Sequence, residues 1–322
     1  MTKHGKIAFI TTPKFRESRS ELAEDFIFDH LYGLCDHFSV LTTGRTGGFV
    51  HSLVDRDPSD REREKIQAGM GLSDLDNHDL ERWRRTIHDG LTITMARFQG
   101  MIHVAYELVE GRIDAVIHLT DWEDKSAKPD SAVLSREANV HNVPIATDPY
   151  TALAYIRGWK RKLVGDQSRG TVFVPRQPNP SPLTGLKESD RVLAIIAHDN
   201  MKLETFLFAL EHARHIFERY DYILATGTTG SWLKRYMHAA GRGFAEIERI
   251  RCCNSGPKGG DIQIAYAVVR RVCQTIIFFQ DPTVSHPHDS DIRLFEQAVV
   301  ADGVQVELAT NVESARLLIE SS

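Results

Sequence analysis

The chain has 322 residues, of which 42% are hydrophobic, and this length fits two domains of ordinary size better than one. A formal net charge of −5 argues against a protein built to bind nucleic acid or an acidic membrane surface. The four cysteines form no CxxC pair, and the sequence shows neither a signal-peptide core nor an apolar run of transmembrane length. We therefore expect a cytoplasmic protein with no nucleic-acid or membrane partner.

Short apolar runs alternate with amphipathic segments along the whole chain. In the first half the predicted strands are KIAFITT (6–12), FSVLTTG (38–44), IDAVIHLTD (113–121) and VPIAT (143–147). In the second half they are RVLAIIAHD (191–199), YDYILATG (220–227), IERIRC (247–252), QTIIFFQDP (274–282) and VQVELATN (304–311). Helical periodicity lies between the second-half strands, at 200–218, 229–240, 260–273 and 289–301. This alternation predicts an α/β protein of two doubly wound, Rossmann-like domains with mainly parallel sheets.

The two halves repeat one order of segments. LTTGRTGG in the first half matches LATGTTGS in the second, and VAYELVEGRIDAVIHLTD matches IAYAVVRRVCQTIIFFQD. The first half is longer between these two matches, which makes the charged stretch 55–85 an insertion. An internal duplication therefore predicts a first domain at 1–158 and a second at 190–322, joined by a proline-rich linker at 159–189.

Polar residues follow the ends of the second-half strands, which is where ligands of open parallel sheets bind. TGTTG (226–230) suits a phosphate, because its glycines let the backbone approach and the next helix begins there, although a threonine-capped turn is the alternative. In NSGPKGGD (254–261) two glycines precede Asp261, which is either an exposed catalytic acid or a plain helix cap. HPHDSD (286–291) is a weak match to a metal site, so we expect no metal.

Six short blocks of the second half, taken in order, are similar to one known family. They are AHDNMK (197–202), ATGTTG (225–230), SGPKGGD (255–261), FFQDP (278–282), PHDSD (287–291) and ATN (309–311). Across 190–320 their order and spacing resemble methylglyoxal synthase. The resemblance implies a Rossmann-like fold, no cofactor, and a lyase that converts dihydroxyacetone phosphate to methylglyoxal and inorganic phosphate. It also implies a homo-oligomer, such as a trimer of two-domain chains, because the family forms hexamers.

The resemblance also implies roles for individual residues. Asp261 corresponds to the base that takes a proton from the carbon bearing the hydroxyl group. His288 corresponds to the residue beside the substrate carbonyl and the enediolate, and His198 lies in the same pocket. The acids that support the site correspond to Asp199, Asp281 and Asp291. The phosphate cradle corresponds to Lys202, Thr226, Gly227, Thr228, Thr229, Ser255 and Gly256.

The first half departs from this pattern at the chemistry-bearing positions. Thr12 and Pro13 stand opposite His198 and Asp199, Arg45 stands opposite Thr228, and Met101 falls at the extrapolated place of Asp261. Of the acids, Asp121 stands opposite Asp281 and Asp130 opposite Asp291. We therefore expect a catalytically silent first domain that either acts as a scaffold or binds an anion through Arg45 and Thr46.

Two hypotheses about the second half stay open at this point. Family members carry an arginine to a neighbouring phosphate site on a C-terminal tail, and we hypothesise that Arg161, Arg169 or Arg176 replaces it here. The alternative to a lyase is a non-enzymatic effector-binding or assembly module, similar to the regulatory domain of carbamoyl phosphate synthetase. Such a module needs the TGTTG turn but neither Asp261 nor the histidines, so their presence favours the lyase.

Overall fold

The computed structural model describes residues 3–94, 98–121, 128–164, 172–173, 180–281, 283, 289–301 and 303–320. The chain divides into two compact units, Met1–Pro178 and Asn179–Ser322, which we term the first and the second domain. The division falls inside the predicted linker, whose limits stay a prediction. A helix that the sequence patterns did not predict, Pro149–Val164, runs into the first residues of that linker.

The first domain contains five short strands surrounded by helices. The strands are β1 (Lys6–Thr11), β2 (Ser39–Thr42), β3 (Leu91–Ile93), β4 (Ala115–Leu119) and β5 (Ile145–Ala146). The helices are α1 (Pro13–Ser18), α2 (Ser20–Phe26), α3 (Tyr32–His37), α4 (Gly44–Val54), α5 (Asp60–Met70), α6 (Asn77–Gly90), α7 (Phe98–Val109), α8 (Lys128–Val140) and α9 (Pro149–Val164). A π-helical turn, Ile27–Leu31, joins α2 to α3.

The second domain likewise contains five short strands with helices between them. Its strands are β6 (Val192–Ala197), β7 (Tyr222–Ala225), β8 (Ile250–Cys252), β9 (Thr275–Phe279) and β10 (Glu307–Ala309). Its helices are α10 (Lys202–Glu211), α11 (Ala213–Arg219), α12 (Gly227–Ala239), α13 (Phe244–Ile247), α14 (Gly260–Val269), α15 (Asp289–Val299) and α16 (Val312–Glu320). Two short 3-10 turns, Asp199–Met201 and Gly256–Lys258, follow β6 and β8.

The two sheets have the same strand order and the same register. Their orders are β3-β2-β1-β4-β5 and β8-β7-β6-β9-β10, and every pair of neighbours is parallel. Ile7 of β1 lies opposite Val40 and Ala115, just as Leu193 of β6 lies opposite Ile223 and Thr275. This confirms the predicted α/β fold of two tandem domains.

The strands are apolar throughout because helices cover both faces of each sheet. In β6 the alternate residues Leu193 and Ile195 belong to a core cluster shared with α10, α11, α12 and α16, whereas Ala194 and Ile196 are buried on the other face. Each fully buried leucine or isoleucine side chain contributes about 1.5–3 kcal/mol. The polar ends of the strands are thus fixed at the edge of a rigid layer.

The structure adds detail to the sequence-based prediction at several places. The stretch 55–85 contains most of α5 and α6, because a capping box of Ser59 and Glu62 begins α5 and Asp76 caps α6. The segment 200–218 is a 3-10 turn and two helices rather than one, with the break at His212. β3 was not predicted, because only Leu91 of its three residues is buried. Within the described part of the chain, no helix is both long and apolar enough to cross a membrane.

Candidate active site in the second domain

A small cavity of about 100 Å³ opens where β6, β7 and β8 end. The segments after these three strands converge there because the carboxyl ends of parallel strands meet at one edge of a sheet. Nine of the predicted site residues line it: His198, Asp199, Lys202, Thr226, Thr228, Thr229, Ser255, Gly256 and Asp261. Ile196, Ala197, Pro257 and Phe278 complete the lining. The volume suits a ligand of a few atoms rather than an extended chain.

The threonine-glycine turn brings the N-terminus of α12 to the cavity. Thr226 is the N-cap, and its Oγ1 lies 3.3 Å from Oγ1 of the buried Thr229. The N–H of Gly227 donates to Asn254 O at 2.9 Å, and a Cβ on Gly227 would lie only 3.0 Å from Cys253 O. The first turn of α12 contains no acidic residue, so the positive end of the helix dipole faces a potential anion without a neutralising carboxylate on the helix itself.

The loop after β8 holds Asp261 at the start of α14. Gly259 has φ 86°, a left-handed conformation that favours glycine, and a Cβ on Gly260 would lie 2.0 Å from Asn254 O. Asn254 is itself held by its N–H, which donates to Gln263 Oε1 at 2.6 Å. The sequence therefore needs both glycines to fold the chain back, and Asp261 ends up only 3% exposed in the wall of the cavity.

His198 is held in one tautomer by the backbone. Its Nδ1 accepts a hydrogen bond from the N–H of Asp281 at 2.9 Å, so the proton of the neutral imidazole belongs on Nε2. The ring packs edge-on against Phe278, with centroids 5.0 Å apart and planes at 89°. His198 is 9% exposed and therefore presents a hydrogen-bond donor from a largely buried position.

Two supporting acids have different surroundings. Asp199 is 89% exposed at its side chain and lies 2.5 Å from Nζ of Lys202, which is 22% exposed. Solvent screens such an exposed partner, so Lys202 remains available as a cation beside the cavity. Asp281 accepts hydrogen bonds from the hydroxyl and N–H of Thr283 and from Asn200, and these bonds lower the pKa of Asp281 to about 2.

Four predicted residues, Gly227, Asp281, His288 and Asp291, are not among the described residues that line the cavity. Gly227 supports the turn, and Asp281 acts on the site through the backbone N–H that contacts His198. His288 lies outside the described residues, and Asp291 belongs to α15 with its side chain outside the described part. The roles assigned to these residues stay a prediction. Of the three arginines, Arg161 is an exposed residue of α9, while Arg169 and Arg176 lie outside the described residues.

Four supporting residues were not predicted from the sequence: Asn200, Asn254, Gln263 and Phe278. Phe278 lies in the FFQDP block, but a phenylalanine in a strand is typical of a core position. Asn200 and Gln263 form hydrogen bonds to residues that the sequence does not place beside them. Asn200 Nδ2 donates to Asp281 at 2.8 Å, and Gln263 Oε1 accepts the N–H of Asn254. Their only sequence signal is proximity to Asp199 and Asp261.

The carboxyl edge of the first sheet has a threonine-glycine turn like that of α12, but Met101 stands at the predicted place of Asp261. Thr43 Oγ1 donates to Thr46 Oγ1 at 3.2 Å, and the N–H of Gly47 donates to Thr43 O at 2.8 Å. Thr12, at the place of His198, accepts from Phe15 N–H and caps α1. Met101, at the predicted place of Asp261, is 8% exposed.

A surface group of possible metal ligands lies elsewhere in the first domain. Asp76, His78 and Asp79 place ligand atoms within 4.8 Å of one another. Asp76 Oδ1 accepts the N–H of Asp79 at 2.7 Å, so helix capping accounts for this arrangement.

Fold and cavity together define an α/β protein with a small-ligand site at the carboxyl edge of its second sheet. The chain is 39% identical to methylglyoxal synthase of Thermus thermophilus over 129 residues, which are 40% of this chain and 92% of that protein. It is 37% identical to methylglyoxal synthase of Lysinibacillus sphaericus over 128 residues, 40% of this chain and 86% of that protein. The chain therefore belongs to the methylglyoxal synthase family.

Two further comparisons concern a solved structure and family models. A crystal structure of methylglyoxal synthase from Elizabethkingia anophelis NUHP1 is 28% identical, with a TM-score of 0.34, and the match covers 42% of this chain and 80% of that chain. No family model matches the sequence.

Proposed function

We propose that the second domain converts dihydroxyacetone phosphate to methylglyoxal and inorganic phosphate, and that the first domain is not catalytic. The observation that carries the proposal is a buried carboxylate, Asp261, that shares one small cavity with Lys202 and with the N-terminus of α12. An acid, a cation and a helix N-terminus are the parts that proton abstraction next to a phosphate ester requires. The relatives named methylglyoxal synthase support the same reaction.

The first step is removal of a proton from the hydroxymethyl carbon. In the proposed reaction Asp261 accepts this proton, and the electron pair of the C–H bond moves toward the neighbouring carbonyl to form an enediolate. His198 donates from Nε2 to the developing oxyanion, since Nδ1 is already occupied by the Asp281 N–H. One well-placed donor of this kind contributes about 3 kcal/mol. His288 is proposed to act beside it on the basis of the family resemblance.

The second step breaks the bond between carbon and the phosphate oxygen. The hydroxyl oxygen of the enediolate becomes the aldehyde carbonyl and passes its proton to the departing phosphate. The electrons of the old carbon–carbon double bond form a new one toward the methylene carbon, and phosphate leaves with the electron pair of the broken bond. Lys202, Thr229 and the amides at the start of α12 stabilise the departing charge. The resulting enolate takes up a proton on its methylene carbon and becomes methylglyoxal. A cradle that holds the C–O bond perpendicular to the enediolate plane favours this elimination over reprotonation.

An assay of the purified protein with dihydroxyacetone phosphate tests the proposal. Methylglyoxal and phosphate should appear in equal amounts, and Asp261→Asn should reduce kcat by about 10²–10⁴-fold. Glu204→Gln removes the same charge from an exposed position of α10 and should leave kcat unchanged. Equal activity of Asp261→Asn and the wild type would remove the proposed base. If the wild type binds phosphate but releases no methylglyoxal, the effector-binding alternative replaces the lyase.

A further inference from the structure

The carboxyl edge of the first sheet places two arginines where the second domain has a lysine and a threonine. The shared register makes Ile7 and Leu193 equivalent, and Arg16 follows Ile7 at the spacing at which Lys202 follows Leu193. Arg45 likewise follows the end of β2 at the spacing at which Thr228 follows the end of β7. The first domain therefore keeps the cation of the cradle and adds a second one.

These two arginines lie together, and no acid of the described part of the chain forms an ion pair with either of them. Arg16 Nη1 donates to the carbonyl oxygen of Arg45 at 2.7 Å, and its Cζ lies 5.4 Å from the ring centroid of Phe49. Burial lowers the pKa of the Arg16 guanidinium, and the positive charge of Arg45 lowers it further. Among the residues that the structure describes, neither arginine has a carboxylate oxygen within 4 Å. Two adjacent cations of this kind are electrostatically complementary to an anion.

The N-terminus of α4 adds further positive potential. This helix has eleven residues, no acid in its first turn and no side-chain cap from Thr43. Thr46 is buried and its Oγ1 accepts the N–H of Thr11 at 3.1 Å, so this hydroxyl ties the end of β1 to the start of α4. The expectation that Arg45 and Thr46 bind an anion stays a prediction, and Arg16 is added to it here.

A buried histidine gives an independent sign of a ligand at this edge. His118 of β4 pairs with Ile10 as Phe278 of β9 pairs with Ile196, and those two residues form the floor of the second-domain cavity. His118 is completely buried, and both of its ring nitrogens lack a hydrogen-bond partner in the described parts of the chain. A buried polar ring without a partner is unfavourable, and the pairing with Ile10 places His118 at the strand position equivalent to the cavity-lining Phe278.

Among the described residues at this edge, few negative charges oppose an anion. Met101 and Pro13 replace the acids Asp261 and Asp199 of the second domain. Asp121 remains near the edge and accepts the hydroxyl of Ser18. Glu17 also faces Arg16 but forms no ion pair with it. At the described positions that correspond to the lining of the second-domain cavity, the balance therefore shifts toward positive charge.

We propose that this edge of the first domain is a second, non-catalytic binding site for a phosphate group, held by Arg16, Arg45 and the N-terminus of α4. The ligand is inorganic phosphate or a small phosphate monoester, since both present the same three oxygens to a pair of guanidinium groups. The site does not depend on the lyase proposed for the second domain.

Equilibrium dialysis of the full chain against labelled inorganic phosphate tests the proposal. The wild type should bind two phosphates per chain if the second-domain cradle also binds, and Arg16→Gln/Arg45→Gln should lose one of them, with an affinity loss of about tenfold or more at that site. Arg82→Gln/Arg85→Gln removes the same charge from exposed positions of α6 and should bind as the wild type does. Arg16→Lys/Arg45→Lys keeps both positive charges and should retain measurable phosphate binding. Binding by this variant would show that the glutamine variant loses phosphate because it lacks charge and not because it is misfolded.

The outcomes are distinct. If Arg16→Gln/Arg45→Gln binds phosphate with unchanged stoichiometry and affinity while remaining folded by circular dichroism, the proposed site is wrong. Lys202→Gln should remove the other phosphate, so failure of the second-domain proposal leaves the arginine-dependent loss intact. Competition by glycerol 3-phosphate for the arginine-dependent site identifies a phosphate ester as its ligand, and lack of competition identifies free phosphate.

Discussion

Thr43 and Thr226 begin equivalent helices in the two domains, and the turns around them have nearly the same geometry. Their hydroxyl contacts are 3.2 Å and 3.3 Å long, and the capping bonds from Gly47 and Gly230 are 2.8 Å and 2.7 Å. The domains differ instead in the side chains that this common turn presents. The backbone turn is thus common to both domains, whereas Asp261 and His198 are present in the second domain alone and carry the chemistry proposed for it. The comparison can be tested by exchanging or removing the residues that differ.

The largest expected effect concerns His118, which stands where the second domain has Phe278. Burial lowers the pKa of His118 to about 4, so between pH 6.5 and pH 4 the unfolded chain binds more protons than the folded one. The stability of the first domain therefore rises with pH across this window. His118→Phe should remove about 3 kcal/mol of acid destabilisation at pH 4.

Denaturant unfolding at pH 7 and pH 4 measures this difference. The reciprocal variant Phe278→His should introduce a similar pH dependence into the second domain, because the imidazole enters an equally buried position. An unchanged pH dependence in His118→Phe would show that His118 is not a neutral buried ring.

The second effect concerns the loop that holds Asp261 at the start of α14 in the second domain. Gly260→Ala places a Cβ 2.0 Å from Asn254 O, so the loop must shift and Asp261 must move with it. We expect a loss of about 1–3 kcal/mol in the free energy of unfolding, together with a strong fall in methylglyoxal formation. Gly243→Ala is the matched control, since nothing lies within 4 Å of a Cβ there. Similar stability and activity for both variants would mean that the loop is not tightly packed.

Much of this comparison could be predicted from sequence, and the limits have physical causes. The order of the strands and the clusters at their ends follow from short periodic patterns, and Thr226 and Asp261 stand directly after those patterns. The bond from the Asp281 N–H to His198 was not predictable, because it joins distant segments through a backbone atom. Arg16 is hard to single out for another reason: a single arginine in a polar stretch is typical of a surface position, even though the match of Thr12 to His198 also sets Arg16 opposite Lys202, as the sheet register does.

The third effect tests Lys202, the lysine among the described residues that line the second-domain cavity. Lys202→Gln removes a charge-assisted hydrogen bond to the proposed phosphate group, and kcat/KM for dihydroxyacetone phosphate should fall about tenfold. Steady-state kinetics on the wild type, Lys202→Gln and Lys187→Gln measure the effect, where Lys187 is an exposed lysine of the same domain. Equal kcat/KM values for the two variants would argue against a phosphate contact from Lys202.

The smallest effect concerns the helix ends that precede the equivalent strands β4 and β9. Gly111 and Arg271 both follow these helices in the left-handed region, with φ 71° and φ 58°. Their N–H groups donate to Leu108 O and Val268 O at 3.0 Å and 2.9 Å, so the two ends have the same hydrogen bonds. A side chain in this conformation is strained where glycine is not, and a strained residue can persist only because the surrounding bonds hold it.

Arg271→Gly should therefore stabilise the second domain by about 0.5 kcal/mol, since relief of strain exceeds the extra backbone entropy of glycine in the unfolded chain. Arg270→Gly is the control: Arg270 has φ −80°, and glycine there should destabilise by about 0.5–1 kcal/mol. Both values come from denaturant unfolding curves at neutral pH. If Arg271→Gly lowers stability as much as Arg270→Gly does, the side chain of Arg271 makes contacts that outweigh the strain, and the two helix ends are equivalent in backbone only.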